Sequence, residues 1–328
     1  MNVEIIAEIA QGYEGDKKLA YSLVEGAIKA NADSIKLQLV YADELCIPSY
    51  EYYNLFKSLE MDDLIWENIV QMVHKSGKNI YFDIYGDRSF EFALHLKADG
   101  VKISSTDFYN LSLIEKSFKN FENVFISTSG VRVEDLDLLL NKFNLPKNLT
   151  LLHGFQSEPT QIKDNNLNRI KTLKSRYPEL NIGFMDHSIG NNDNAFYLPL
   201  VALGLGVSCI EKHITLDYDL KLEDYISALS IERFQAFTNI IKSMEESFGI
   251  SNLDVTNKEK EYFEKSGKVV VAKKDIDKGK LIHEEDLCLK RVTTKPKGTH
   301  FRKFSDLIGK KTKKIIYVNQ SLNLNSIE

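Results

Sequence analysis

The stretch Met185-Asp186-His187-Ser188-Ile189-Gly190, answered downstream by Glu211-Lys212-His213-Ile214-Thr215, decides how the chain is read. Each histidine follows a short apolar run: Asn181-Ile182-Gly183-Phe184 precedes the first and Val207-Ser208-Cys209-Ile210 the second, with a helical-looking segment between them. That succession is the pattern of a βαβ unit. Read as parallel neighbouring strands, the two runs deliver both imidazoles to one sheet edge, where a single metal ion can bridge them.

The same alternation extends back to the amino terminus. Apolar runs at Val3–Ile9, Ser34–Val40, Asn79–Ile84, Gly100–Ser105, Asn123–Ile126 and Leu149–Leu152 are separated by amphipathic stretches, which makes about eight β-then-α repeats, the number a closed barrel needs. Asp16 is placed to cap the first helix. The excursion from Tyr41 to Leu59 is too long for an ordinary βα loop. The expected fold class is α/β, a TIM (β/α)8 barrel over residues 1–248. A polar Asn-, Lys- and Glu-rich stretch, 249–267, reads as a linker, and 268–328 reads as a small β-rich domain. About 60 residues make a marginal core, so this module is expected to lean on the barrel or on a second subunit.

Composition excludes several function classes. The formal net charge is -5 and no basic stripe is present, so nucleic acid is not an expected partner. No apolar stretch approaches the roughly 20 residues that span a bilayer, and no cationic n-region precedes the first strand. Three widely spaced cysteines, Cys46, Cys209 and Cys288, fit reduced structural thiols. A cytoplasmic protein with no membrane partner is expected.

Polar residues recur at successive strand C-termini, the rim where a βα barrel builds its chemistry. His187 and His213 can act as neutral imidazole ligands for a borderline ion such as Mn²⁺, Co²⁺ or Zn²⁺; taken singly, each also fits a hydrogen-bonded rim histidine. Asp186 can orient an imidazole from behind. Lys36 and Lys102 lie inside strands, where burial demands an anionic partner: an ion pair with Glu8 or Glu211, or a substrate. Ser104, Ser105, Thr128 and Ser129 stand on turns near Gly130, where hydroxyls and backbone N–H groups hold phosphate, although Ser or Thr before a helix is often only a cap. The Tyr50-Glu51-Tyr52-Tyr53 cluster with Phe56 reads as packing before it reads as a sugar site.

Together these residues resemble the sialic acid synthase family of phosphoenolpyruvate-dependent nonulosonate synthases. The likeness rests on Glu8-Ile9 with Gly15-Asp16, Ala32-Asp33-Ser34-Ile35-Lys36-Leu37-Gln38, Val101-Lys102-Ile103-Ser104-Ser105, and the two histidine motifs. Val271 to Gly279 and Leu289-Lys290-Arg291 resemble that family's C-terminal SAF (antifreeze-like) domain. The resemblance implies a domain-swapped homodimer with phosphoenolpyruvate and an N-acyl amino sugar as substrates. It implies a divalent ion (Mn²⁺, Mg²⁺ or Co²⁺) on His187 and His213. Glu8, Glu211 and Lys102 become the catalytic candidates. Lys36, Gln38, Ser105, Thr128, Ser129, Gln156, Glu158 and Asp186 become substrate-site candidates, joined by Arg291 of the neighbouring subunit. Gly12-Tyr13, Met185, Gln156 and Glu158 depart from the family's usual residues, so the sugar does not follow from the likeness. A metal-dependent barrel aldolase or isomerase that does not use phosphoenolpyruvate, and a non-catalytic sugar-binding barrel, remain as alternatives.

Overall fold

Each short run rich in Ile, Val and Phe becomes one strand, and each amphipathic stretch becomes the helix that covers it. The computed structural model describes residues 3–157, 159–293 and 300–328, and the chain divides into two compact units, Met1–Gly249 and Ile250–Glu328. In the first unit the strands are β1 (Glu4–Ala10), β2 (Ser34–Gln38), β3 (Asn79–Asp83), β4 (Gly100–Ile103), β5 (Asn123–Ser127), β6 (Asn148–His153), β7 (Asn181–Asp186) and β8 (Cys209–Thr215). Each pairs with the next, and β8 pairs back onto β1, so the parallel sheet closes.

The helices that follow the strands are α1 (Lys17–Lys29), α2 (Asp63–Lys75), α3 (Asp87–His95), α4 (Leu111–Asn120), α5 (Val133–Lys142), α6 (Asn168–Arg176), α7 (Asn194–Gly204) and α8 (Ile231–Glu246). This is the TIM (β/α)8 barrel that the alternation predicts. Asp16 caps α1, its carboxylate accepting from the backbone N–H groups of Lys18 (2.6 Å) and Leu19 (3.1 Å). The long excursion after β2 holds two short helices, Ala42–Leu45 and Tyr53–Ser58. Among the described residues no helix is long and apolar enough to cross a membrane.

Side chains alternate faces along each strand, and this period of two sorts the barrel into layers. Ile6, Tyr81, Phe125, Leu152, Met185 and Cys209 meet in one buried apolar layer across the lumen. Two residues further along the same strands stand Glu8, Asp83, Ser127, Gly154, His187 and Glu211. The polar mouth of the barrel therefore rests directly on an apolar floor. The opposite faces, among them Ile5, Ala7, Ile35, Phe82, Val101 and Ile210, pack against the helices in the main core.

Two charged residues interrupt that outer face. Asp186 and Lys212 are register partners on β7 and β8, and both side chains are 0% exposed. The Lys212 ammonium donates to Asp186 Oδ2 (2.8 Å) and to the Ser188 carbonyl (3.1 Å). Asp186 in turn accepts from the Ser188 backbone N–H at 2.9 Å and from its hydroxyl at 3.0 Å. Burial pushes the Lys212 pKa down against the attraction of Asp186. The pair fastens the turn after β7 to β8.

Residues 249–267, expected as a linker, open the second unit from Ile250 and contain helix α9 (Asn257–Ser266). Thr256 and Glu259 form a capping box, the hydroxyl accepting from Glu259 N–H at 3.2 Å and the carboxylate from Thr256 N–H at 2.7 Å. Strands β9 (Val269–Ala272) and β10 (Leu287–Lys290) pair antiparallel, around a small core that includes Val270, Ile282, Leu307, Ile316 and Leu322.

The buried lock on the outer face gives a stability test. Asp186→Ala strands an ammonium group in the core and should cost roughly 3–5 kcal/mol in urea unfolding, whereas the double variant Asp186→Leu, Lys212→Met should recover most of that loss. An unchanged midpoint for Asp186→Ala would contradict the lock.

Candidate active site

At the C-terminal mouth of the barrel lies a cavity of about 180 Å³ that takes in Glu8, Asp83, Lys102, His187, Glu211 and His213. Gln38 and Gln156 add amides, Tyr85 and Ser104 add hydroxyls, and Asp224 adds a further carboxylate. A larger cavity of about 560 Å³ lies on the outer surface, but Phe108, Leu111, Leu138 and Leu139 make its lining mainly apolar. The convergence of titratable groups marks the smaller one as the candidate site.

Strand register assembles its charges. Glu8 stands opposite Lys36 across β1 and β2, and Asp83 stands opposite Lys102 across β3 and β4. The Lys36 ammonium contacts Glu8 Oε2 and lies 2.5 Å from Asp83 Oδ2 and 3.7 Å from Glu211 Oε2. Lys102 donates to Glu211 Oε1 at 2.6 Å and lies 3.9 Å from Asp83 Oδ1. All five side chains are buried. Burial lowers the Lys36 pKa, opposed by Asp83 and Glu211. Burial also works against the Lys102 ammonium, but attraction to Asp83 and Glu211 outweighs it and the pKa rises. Burial raises the Glu211 carboxyl, while Lys102 and Lys36 more than offset it and leave the pKa lowered.

His187 and His213 face the same cavity from β7 and β8, with ring centroids 5.0 Å apart. Burial, helped by Lys102, lowers His187 to about 4. Burial and then His187 itself push His213 well below the ordinary histidine range. Both rings are therefore neutral at physiological pH, and each has a buried Nδ1 with no hydrogen-bond partner. Two neutral imidazoles with free nitrogens fit a borderline divalent ion. No cluster of three or more His, Cys, Asp or Glu suited to a metal occurs among the described residues, so the chain itself would supply two ligands and leave the rest to water or substrate oxygen.

The turn carrying His187 is held from several sides. Its carbonyl accepts from Thr160 N–H at 2.8 Å and from the Ser227 hydroxyl at 2.9 Å. Gly190 donates its N–H to the Ile226 carbonyl at 2.8 Å, and a Cβ there would land on the Ala228 carbonyl oxygen. That close approach explains the glycine ending the first histidine motif.

The other expected residues divide. Gln38 lines the cavity and accepts from Gln11 Nε2 at 2.8 Å. Gln156 lines it too, accepting from the Ser105 hydroxyl at 3.1 Å, while Ser104 rather than Ser105 reaches the wall. Thr128 instead donates its hydroxyl to the Leu152 carbonyl at 3.1 Å and borders a separate cavity of about 290 Å³ with His153 and Arg169. Ser129 is half-buried and absent from the central lining. Asp186 does not orient an imidazole: its neighbour His187 points to the lumen, so Asp186 points outward to Lys212. Met185 lies beneath the cavity in the apolar layer, its sulfur 3.9 Å from the Ser127 hydroxyl. Arg291 is exposed just after β10 in the second unit, and Glu158 lies outside the described residues. The sequence reading missed Asp83, Tyr85 and Asp224. Asp83 ends β3 two residues beyond the inward-facing Tyr81, a placement that only the strand register reveals.

Comparison with known proteins gives the chain's family. The NeuB family profile matches residues 23–252 and the SAF domain profile matches residues 267–328. The chain is 28% identical over 338 residues to the pseudaminic acid synthase of Campylobacter jejuni, covering 98% of this chain and 95% of that one. It is 25% identical over 329 residues to the N,N'-diacetyllegionaminic acid synthase of Legionella pneumophila, covering 94% and 90%. The crystal structure of the N-acetylneuraminic acid (sialic acid) synthetase from Leptospira borgpetersenii in complex with citrate superposes with a TM-score of 0.73 at 26% identity, over 80% of this chain and 91% of that one.

The tight turn after β7 can be probed without touching a charged group. Gly190→Ala should lower the urea midpoint by the equivalent of roughly 1–3 kcal/mol, the usual cost of an overpacked backbone contact; an unchanged midpoint would mean that the contact relaxes freely.

Proposed function

Because this chain belongs to the NeuB family, we propose that it is a phosphoenolpyruvate-dependent sugar-acid synthase, joining phosphoenolpyruvate to the aldehyde of an open-chain N-acyl amino sugar with release of phosphate. One observation carries the reading: two neutral imidazoles and Lys102 open on a single small cavity, and the buried Lys36 is paired to the carboxylates of the same wall. Such a site has one end for a cation and another for an anion.

In this reading Lys36 and Lys102 bind the carboxylate and phosphate of phosphoenolpyruvate, and His187 and His213 hold a divalent ion, Mn²⁺, Mg²⁺ or Co²⁺. When bound, that ion supplies Lewis-acid polarisation of the sugar's carbonyl oxygen. Lys36 and Lys102 keep the enol carbon within reach of the aldehyde carbon, where the new C–C bond forms. Water then adds at C2, a buried carboxylate takes one of its protons, and that proton ends on the former aldehyde oxygen, which becomes a hydroxyl. Glu211 suits that role, because its Oε2 has no hydrogen-bond partner while Oε1 is tied to Lys102. Phosphate leaves with its bridging oxygen as the C2–O bond breaks and C2 becomes a ketone. Glu8 holds Lys36 in place, its other oxygen accepting from Ala10 N–H at 2.6 Å.

The named relatives are a pseudaminic acid synthase and an N,N'-diacetyllegionaminic acid synthase, and the proposed acceptor is N-acetylmannosamine or a bacterial di-N-acetylated sugar. Gln38 and Gln156 offer amides to its hydroxyl and acyl groups. Arg291 is proposed to reach the acyl group from a second copy of the chain.

Purified protein incubated with phosphoenolpyruvate, Mn²⁺ and a panel of N-acyl amino sugars should release phosphate with at least one of them; no release with any sugar would sink the proposal. His213→Ala should lower the rate about 100-fold or more, since even the loss of a group supporting a metal ligand costs 10–100-fold. Co-expression of His213→Ala with Arg291→Ala tests the second copy. If Arg291 acts across subunits, mixed dimers regain activity that neither variant shows alone. If it acts within its own chain, no activity returns.

A further inference from the structure

The Lys36 and Lys102 cluster contains one carboxylate that neither sequence nor family resemblance assigned. Asp83 reaches both ammonium groups, 2.5 Å from Lys36 through Oδ2 and 3.9 Å from Lys102 through Oδ1. Glu211 also reaches both, but its Oε1 is fixed on Lys102, and Glu8 is anchored through the Ala10 N–H. Asp83 Oδ1 is buried with no hydrogen-bond partner, and the residue lines the cavity. Asp83 is thus held as Glu211 is, through one oxygen on a lysine with the other oxygen lacking a hydrogen-bond partner, whereas Glu8 is also anchored to the backbone.

The charge inventory gives this placement its consequence. Glu8, Asp83, Glu211 and Asp224 set four carboxylates at the cavity, three of them against the two ammonium groups of Lys36 and Lys102. An acidic cavity with fully compensated lysines repels an incoming anion. An anion that docks on the lysine pair meets the Asp83 carboxylate already there.

We infer that Asp83 is a specificity-determining residue: its carboxylate occupies the lysine pair in the free protein as an internal counter-anion, and an anionic substrate must displace it. The inference rests on the proposed function in taking that substrate to be anionic. It adds that the chain itself sets a threshold for anion entry, and that a cation on the histidine pair lowers the threshold by offsetting the acidic wall.

Isothermal titration of phosphoenolpyruvate, and separately of inorganic phosphate, into metal-free protein tests this. Asp83→Asn keeps the shape and removes the charge, and it should bind phosphoenolpyruvate on the order of tenfold tighter than the wild type, the scale of one close carboxylate removed from a partly screened site. Asp83→Thr, smaller and also neutral, should move affinity in the same direction, so the outcome does not hang on one variant folding well. Adding Mn²⁺ should tighten binding more for the wild type than for Asp83→Asn. Equal or weaker binding by both variants would overturn the inference and leave Asp83 as structural support for Lys36. Phosphate release by the wild type with Mn²⁺ and a sugar would still stand in that case, so a failure here is distinguishable from a failure of the proposed reaction.

Discussion

Two buried ammonium groups held among three buried carboxylates, Glu8, Asp83 and Glu211, are the constraint on which the barrel mouth depends. A lone buried charge is prohibitively costly, and a cluster survives only when every partner is in place. The partners are supplied by register rather than by local sequence. Glu8 faces both Lys36 and His213 because β1 pairs on one side with β2 and on the other with β8. A slip of one residue in either pairing would turn the whole set toward the helices. Barrel closure and site assembly are therefore one event.

The two histidine motifs divide their work by face. In Asp186-His187 and Lys212-His213 the histidines point to the cavity, while the acid and the base pair behind the sheet. The outer pair ties the end of β7 to β8, so the spacing of the imidazoles is set by a bond that lies outside the site. The apolar layer under the cavity, Met185 included, separates the charge cluster from the lower barrel. Because that layer is apolar and buried, the cluster's interactions act in a low-dielectric setting.

Much of this was legible in the sequence. Repeated β-then-α alternation gave the barrel, and histidines at the ends of consecutive apolar runs gave the cavity wall. Lysines inside strands announced buried ion pairs. The rest was lost for identifiable reasons. Asp186 reads in the sequence as a carboxylate that can orient an imidazole, yet adjacency within a strand puts side chains on opposite faces. Thr128 follows a strand as a phosphate-binding hydroxyl would, but its bond to the Leu152 carbonyl depends on which strand lies beside it. Asp83 was passed over because an acid at a strand end looks like any polar terminus until its register opposite Lys102 is known. Helix α9 carried a readable signature in Thr256-Asn257-Lys258-Glu259, outweighed by the weak apolar period around it.

In the proposed function the histidine pair and the lysine pair serve one site, with a cation and a phosphorylated substrate bound side by side. Relaxation of the phosphorus nucleus of phosphoenolpyruvate in the presence of protein-bound Mn²⁺ tests it most directly. Strong acceleration of phosphorus relaxation is expected in the wild type, and its loss when His187 and His213 are both replaced by alanine. Bound Mn²⁺ that leaves the phosphorus signal unchanged, or an acceleration that survives loss of both histidines, would contradict the single shared site.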